Sequence, residues 1–321
     1  MRIFITGMGG ELGTRVANLF EADPAVEAVA GSDLDPPRRR LRRAQFSLID
    51  PRDAERTHRV VGAFAPEVLV HLGVYEPYAR SSPRSAVERT AMGTVHVLDA
   101  AVDGGNLRHI VMRSGIEVYG RGHGAHEFPD ESVPPAPSTP WGESLLHAEV
   151  QARETGRRIG ATVTRLRFAP MVGPHFPSPL GRLLRLPVVP FSPRDPSFSV
   201  VHQEDAAAAI VAATHRPYDG PINVVAPGGV TVSLAATLGR RVGIPVLGPF
   251  WRSTRLAAEL VGAPIPAHIQ ELLLRGAVVD GRRAGDLLGV KPRHSTHEVI
   301  ERLFEWSEVT YLPVTTKVGA P

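Results

Sequence analysis

Eight residues near the start of the chain, TGMGGELG from Thr6 to Gly13, restrict its fold more than any other stretch. They follow a short apolar run over residues 2–6 that reads as a buried strand. They lead into Leu12, Val16, Leu19 and Phe20, which recur at helical spacing. Gly7, Gly10 and Gly13 therefore fall on a strand-to-helix turn. Without Cβ bulk at those positions, main-chain N–H groups at the helix N-terminus can approach a diphosphate. A glycine pattern alone is weak evidence, but flanked by a strand and an amphipathic helix it points to a dinucleotide cradle rather than a structural turn. Gly9 adds conformational freedom, while its neighbours carry the recurring spacing.

The rest of the chain extends the same alternation. Residues 26–32, 46–49, 68–72 and 108–112 read as strands, with helical stretches over 52–64 and 83–102 between them. A long helix over 138–158 and a strand over 161–166 follow. Parallel strands need such crossovers, so the expected fold is α/β: a Rossmann-like parallel sheet with helices on both faces, over residues 1–169. Beyond Pro170 the prolines at 174, 177, 179, 187, 190, 193 and 196 rule out long elements. A smaller, mixed C-terminal substrate region is expected over 170–312. Segments around 200–226 (a helix over 203–215, a strand over 222–225) would return to the main domain. A late helix over 295–306 and a flexible tail over 313–321 complete the reading.

Composition excludes several functions. With no Cys in 321 residues there are no disulfides, thiolate metal sites or cysteine nucleophiles. No stretch is long and apolar enough to insert in a membrane, and MRIFITG lacks a secretory pattern, so a cytoplasmic protein is expected. A net charge of +3 and no spaced basic clusters argue against nucleic acid. The basic run PPRRRLRR (36–43) reads as a solvated loop, with an anion contact as the alternative. His123 and His126 beside Glu127 read as a surface loop rather than a metal site.

Asp33 follows the second strand, where a carboxylate accepts the adenine-side ribose hydroxyls and repels a 2′-phosphate. NAD is therefore favoured, although Arg38, Arg39, Arg40, Arg42 and Arg43 leave NADP open. Asp50 is a second cofactor-side candidate, or else a helix cap before Pro51.

Several landmarks now stand in order: TGMGGELG, VLVHLG, MGTVHVLDA, SGIEVYG, RLRFAPMVGP, FSVVHQEDAAAAI, GPINVVAPGG and DLLGVKP. Over residues 1–306 the chain resembles the extended short-chain dehydrogenase/reductase family, in particular its nucleotide-sugar epimerases and dehydratases. The resemblance implies Asp33 on the adenosine ribose and Asp50, with Leu48 or Ile49, beside adenine. It implies Leu72, Gly73 and Val74 along the phosphates and nicotinamide ribose, and residues 114–120, beginning at Ser114, as the active-site floor. It also implies hydride transfer coupled to epimerisation or elimination, a nucleotide-sugar ligand, and a homodimer as in many members.

The departures from that family are concentrated at the chemistry. Trp141 and Leu145 stand where relatives carry Tyr and Lys, and neither can exchange a proton or stabilise a phenolate. Gly115 replaces a substrate-contacting Ser or Thr, while Pro170 and Thr90 each replace an Asn. Glu117 lies where dehydratase-type relatives carry a base, with Ile116 at their adjacent acidic position. It is read as a base or as a helix cap or polar-network member. Tyr119 is read as structural. Arg165 and Arg167 are candidates for a nucleotide diphosphate, with strand alternation expected to turn only one toward a cleft. His202, Glu204 and Asp205 of HQED read as capping residues. Two functional readings remain: a cofactor-dependent enzyme with altered chemistry, and an inactive cofactor-binding regulatory or assembly protein.

Overall fold

A computed structural model describes residues 1–122 and 124–305. The first half runs β1 (Arg2–Thr6), α1 (Glu11–Glu21), β2 (Ala28–Asp33), β3 (Gln45–Leu48), α2 (Ala54–Phe64), β4 (Val68–His71), α3 (Pro83–Asp103), β5 (His109–Gly115), α4 (Pro140–Ile159) and β6 (Thr162–Phe168). It continues through β7 (Met171–Val172), α5 (Pro179–Leu184), β8 (Val188–Phe191), β9 (Val201–His202), α6 (Gln203–His215) and β10 (Gly220–Val224). Last come α7 (Val232–Leu238), β11 (Val242–Pro245), α8 (Trp251–Leu260), α9 (Ala267–Arg275) and α10 (Thr296–Leu303).

Seven strands form one parallel sheet in the order β3-β2-β1-β4-β5-β6-β10. The period of two sorts its side chains: Ile3 and Ile5 of β1 pack on one face, and Phe4 packs on the other. In the same way β4 divides Val68 and Val70 from Leu69, and β5 divides Val111 from Ile110 and Met112. A strand buried on both faces must be apolar at nearly every position, hence the continuous runs. Leu12, Val16 and Phe20 of α1 and Ile210 of α6 cover the first face; Val61 of α2, Val97 and Leu98 of α3 and Ala152 of α4 cover the second. A third core, around Leu180, Leu183, Phe198, Ile269 and Leu273, also takes in Trp141 and Leu145.

Strand order reverses between β1 and β4. In sheets of this kind ligands sit beyond the C-terminal strand ends at that crevice. Thr6, Asp33 and His71 are the last residues of β1, β2 and β4.

Some boundaries differ from the sequence reading for identifiable reasons. The α2 cap is Asp53, which accepts the Arg56 N–H at 3.0 Å, and not Asp50. β5 continues to Gly115 and β6 to Phe168 because Ser114 and Arg167 bury polar side chains against each other's neighbour Glu149, which interrupts the apolar pattern without ending the strands. α8 was not legible because it buries only Trp251 and Ala258 and turns Leu256 and Leu260 outward. α10 starts from a capping box of Ser295 and Glu298. Its expected end at Trp306, the tail over 313–321 and His123 lie outside the described residues. Among the described residues no helix is long and apolar enough to cross a membrane.

Candidate functional site

The turn after β1 closes tightly on itself. Gly7 has φ +72°, and a Cβ there would lie 2.9 Å from the Leu72 carbonyl carbon. At Gly13 a Cβ would run into the Gly7 carbonyl oxygen, with Met8 Cα at 2.7 Å. Gly9 proves as restricted as these, since a Cβ would collide with the Asp35 carbonyl. It is a packing requirement rather than spare freedom. Gly10 caps α1 without a side-chain bond, so no capping side chain takes the first-turn N–H groups, the place where a helix end accepts an anion.

Gly7, Gly10, Gly13, Asp33, Leu72 and Gly73 line one cleft, together with Val74, Glu76 and Arg113. Asp33 is fully covered: it accepts the Leu34 N–H at 2.6 Å and Arg80 Nη1 at 3.4 Å. Burial pushes its pKa up, and the Arg80 charge opposes that shift. Asp50 and Ser114 do not line the cleft. Asp50 is bound by Arg52 at 2.7 Å, which is the main reason its pKa is held down at about 2.

Beneath the cleft, His71 Nδ1 is 2.7 Å from Thr6 Oγ1 and its Nε2 is 2.9 Å from Thr94 Oγ1, tying β1, β4 and α3 together. Burial pulls the His71 pKa down to about 4. The unfolded chain, with an ordinary His pKa near 6.5, binds this proton more readily. Stability is therefore present above about pH 6.5 and is lost as pH falls toward 4. His71→Asn keeps hydrogen bonding and cannot titrate. We expect the wild-type advantage over this variant to shrink by on the order of 3 kcal/mol between pH 7 and pH 4, read from denaturant unfolding. Parallel pH curves for the two proteins would refute the assignment.

Two of the departures, Gly115 and Leu145, are shaped around the Glu117 carboxylate. The Glu117 side chain folds back so that a Cβ on Gly115 would strike Glu117 Oε2 and lie 3.0 Å from Leu145 Cδ1. Gly115 thus makes room for the carboxylate that Leu145 walls in. Arg113 donates to the Val74 carbonyl at 3.2 Å, and the charges of Glu76 and Glu117 act on it. His268, from α9, places Nε2 3.1 Å from Glu76 Oε1 and its ring 5.9 Å from that of Trp141. Burial raises the Glu117 pKa against the opposing charges of His268 and Arg113. A buried carboxylate with raised proton affinity is suited to accept a proton.

Arg165 and Arg167 lie elsewhere. Arg167 makes a two-pronged bond to Glu149 at 2.9 and 2.7 Å, and Ser114 Oγ donates to the same carboxylate at 2.6 Å. Arg165 approaches Glu149 at 3.9 Å, so both arginines face one way. Residues two apart on a strand share a face, which corrects the expected division between them. Neither lines the glycine-turn cleft. Tyr119 donates to Asn223 Oδ1 at 2.8 Å beneath the Arg167 guanidinium. His202 caps α6, and Asp205 accepts the Arg293 N–H at 3.1 Å. The basic run wraps α1, with the N–H groups of Arg42 and Arg43 on Glu21. Thr90 accepts the Tyr75 N–H at 2.9 Å, steadying the loop after β4.

Sequence reasoning passed over Glu76, Arg80 and His268. The first two follow VLVHLG in a loop without periodicity, and His268 arrives from a segment nearly two hundred residues distant, a separation of 192 from Glu76. No three His, Cys, Asp or Glu stand together as a metal site among the described residues.

Comparison with known proteins bears on this geometry. A profile of the NAD dependent epimerase/dehydratase family matches residues 3–226. An uncharacterised protein of Mycobacterium tuberculosis is 29% identical over 321 residues, covering 96% of this chain and 84% of its own length. Among solved structures, UDP-glucose 4-epimerase of Thermotoga maritima, with UDP-glucose, superposes at TM-score 0.74 with 21% identity, covering 95% of this chain and 97% of that one. UDP-glucuronic acid 4-epimerase of Bacillus cereus, in complex with UDP-glucuronic acid and NAD, superposes at 0.74 with 18% identity over 95% and 98% of the two chains. At these identities the structural likeness establishes the fold.

Proposed function

Because the chain belongs to the NAD-dependent epimerase/dehydratase family, we propose that it holds NAD on the glycine turn with a nucleotide-sugar-like ligand beside it, and handles protons through Glu117 in place of a Tyr/Lys pair. The observation that carries this is the Glu117 carboxylate, folded over Gly115 in a small pocket that it shares with His268, with its charge acting on Arg113, which lines the glycine-turn cleft. NAD is preferred to NADP because Asp33 and Asp35 stand together where a 2′-phosphate would lie. Cofactor contacts extend along Gly7, Gly10, Gly13, Leu72 and Gly73, and the adenine reaches past that cleft toward Ile49 and Pro51, which flank Asp50. Glu117 acts as a base on a sugar C–H. The chain works in the cytoplasm as a homodimer; Val87, Met92 and Val95 of α3 leave an apolar strip 40–42% exposed, suited to a second copy.

Native mass spectrometry of gently purified protein, followed by ligand extraction, tests the reading. We expect twice the chain mass, with a dinucleotide and a sugar nucleotide retained. With the extracted sugar nucleotide as substrate, Glu117→Gln should lower turnover about a hundredfold or more and leave NAD affinity intact. Equal turnover in both proteins would remove Glu117 from the chemistry. A second reading, binding without turnover, is favoured by the apolar packing of Trp141 and Leu145 and the His268 ring against Trp141. It requires background turnover from wild type and variant alike.

A further inference from the structure

Arg80 presents a charge that the reading above leaves unused. It lies on the loop between β4 and α3 and pairs with both Asp33 and Asp35. Its Nη1 is also 3.1 Å from where a Cβ on Gly10 would stand, directly over the N-terminus of α1. The same guanidinium therefore borders the two places where a dinucleotide is gripped: the carboxylate that accepts ribose hydroxyls and the helix end that faces the diphosphate.

These two roles compete. The side chain of Asp33 is fully covered, with Arg80 against its Oδ2, so ribose hydroxyls reach that oxygen only where Arg80 gives way. The loop backbone is fastened: Arg182 Nη2 donates to the carbonyls of Tyr78 at 3.1 Å and Ala79 at 3.4 Å, and the Tyr78 N–H donates to Ser81 O at 2.9 Å. Tyr78 is held at φ +63°, which a non-glycine residue keeps only when its surroundings impose it. What can move is the Arg80 side chain, and the next anionic acceptor within its swing is a diphosphate over Gly10.

Resting on the proposal that a dinucleotide binds this cleft, we infer that Arg80 is an exchangeable counter-ion: it neutralises Asp33 and Asp35, and transfers to the cofactor diphosphate when the ribose claims Asp33. An arginine suits this exchange because its planar fork matches carboxylate and phosphate oxygens alike. A contact with a 2′-phosphate is the less favoured arrangement, because that group would meet the carboxylates of Asp33 and Asp35 that Arg80 had just left.

The test is direct binding of NAD+, NADP+, ADP-ribose and adenosine to wild type, Arg80→Ala and Arg80→Lys. Arg80→Ala should weaken NAD+ and ADP-ribose by roughly tenfold to a hundredfold, while adenosine, which has no phosphate, binds as well or better because Asp33 has lost its competitor. Arg80→Lys keeps the charge without the fork and should fall between them. Three results overturn the inference: unchanged NAD+ affinity in Arg80→Ala, an equal loss for adenosine and NAD+, or a loss confined to NADP+. Wild-type protein that binds none of the four removes the dinucleotide reading itself, and this inference with it.

Discussion

Gly10→Val is expected to abolish dinucleotide binding, raising Kd at least about a hundredfold, while costing the folded chain only about 1 kcal/mol. A Cβ at Gly10 meets a flexible Arg80 tip at 3.1 Å, Gly7 O at 3.4 Å and Asp33 Oδ2 at 4.0 Å, so the protein can accept it. The two methyl groups of Val would then project into the cleft over the N-terminus of α1, where a diphosphate must approach main-chain N–H groups closely. Gly13→Ala is the contrasting case. Its Cβ would meet main-chain atoms of Gly7 and Met8, which cannot swing aside, so the damage should appear in unfolding as a loss of several kcal/mol. If Gly10→Val binds NAD+ like wild type, the turn is structural and the cofactor lies elsewhere.

The second large effect lies on α4 and β6. Glu149→Ala should cost roughly 3–5 kcal/mol, because it leaves the Arg167 guanidinium buried without its carboxylate. Glu149 is 1% exposed and Arg167 3%, and the pair is two-pronged. Burial alone would lower the Arg167 pKa, yet the bonds and charge of Glu149 outweigh it and the net shift is upward. Replacing both partners together, Glu149→Leu with Arg167→Met, should recover most of the loss, since an apolar pair needs no counter-charge. Denaturant titrations of the three proteins decide the matter. A loss below about 1 kcal/mol in Glu149→Ala would mean that the pair is well hydrated.

Legibility in the sequence followed the range of the interactions. Residues 2–20 display strand, turn and helix within a span that one periodic pattern covers, so the cradle was readable before any tertiary contact was known. Trp141, Leu145 and Gly115 were readable only as departures from a family pattern. Gly115 and Leu145 share a cause in the inward Glu117 carboxylate, and Trp141 packs on the His268 ring; no local spacing encodes these contacts between elements. Arg167 was ambiguous for a chemical reason: a guanidinium suits a phosphate and a carboxylate equally, and the decisive partner, Glu149, is 18 residues away on a different element. α8 stayed hidden because it buries only Trp251 and Ala258 while Leu256 and Leu260 face outward, and His268 because its partners belong to the first hundred and fifty residues.

Titration calorimetry of NAD+ into the full chain, stripped of carried-over ligand, tests the central claim most directly. The account predicts one dinucleotide per chain, with the heat vanishing in Gly10→Val. A folded wild-type chain that gives no binding heat with NAD+ or NADP+ up to about 1 mM would contradict it.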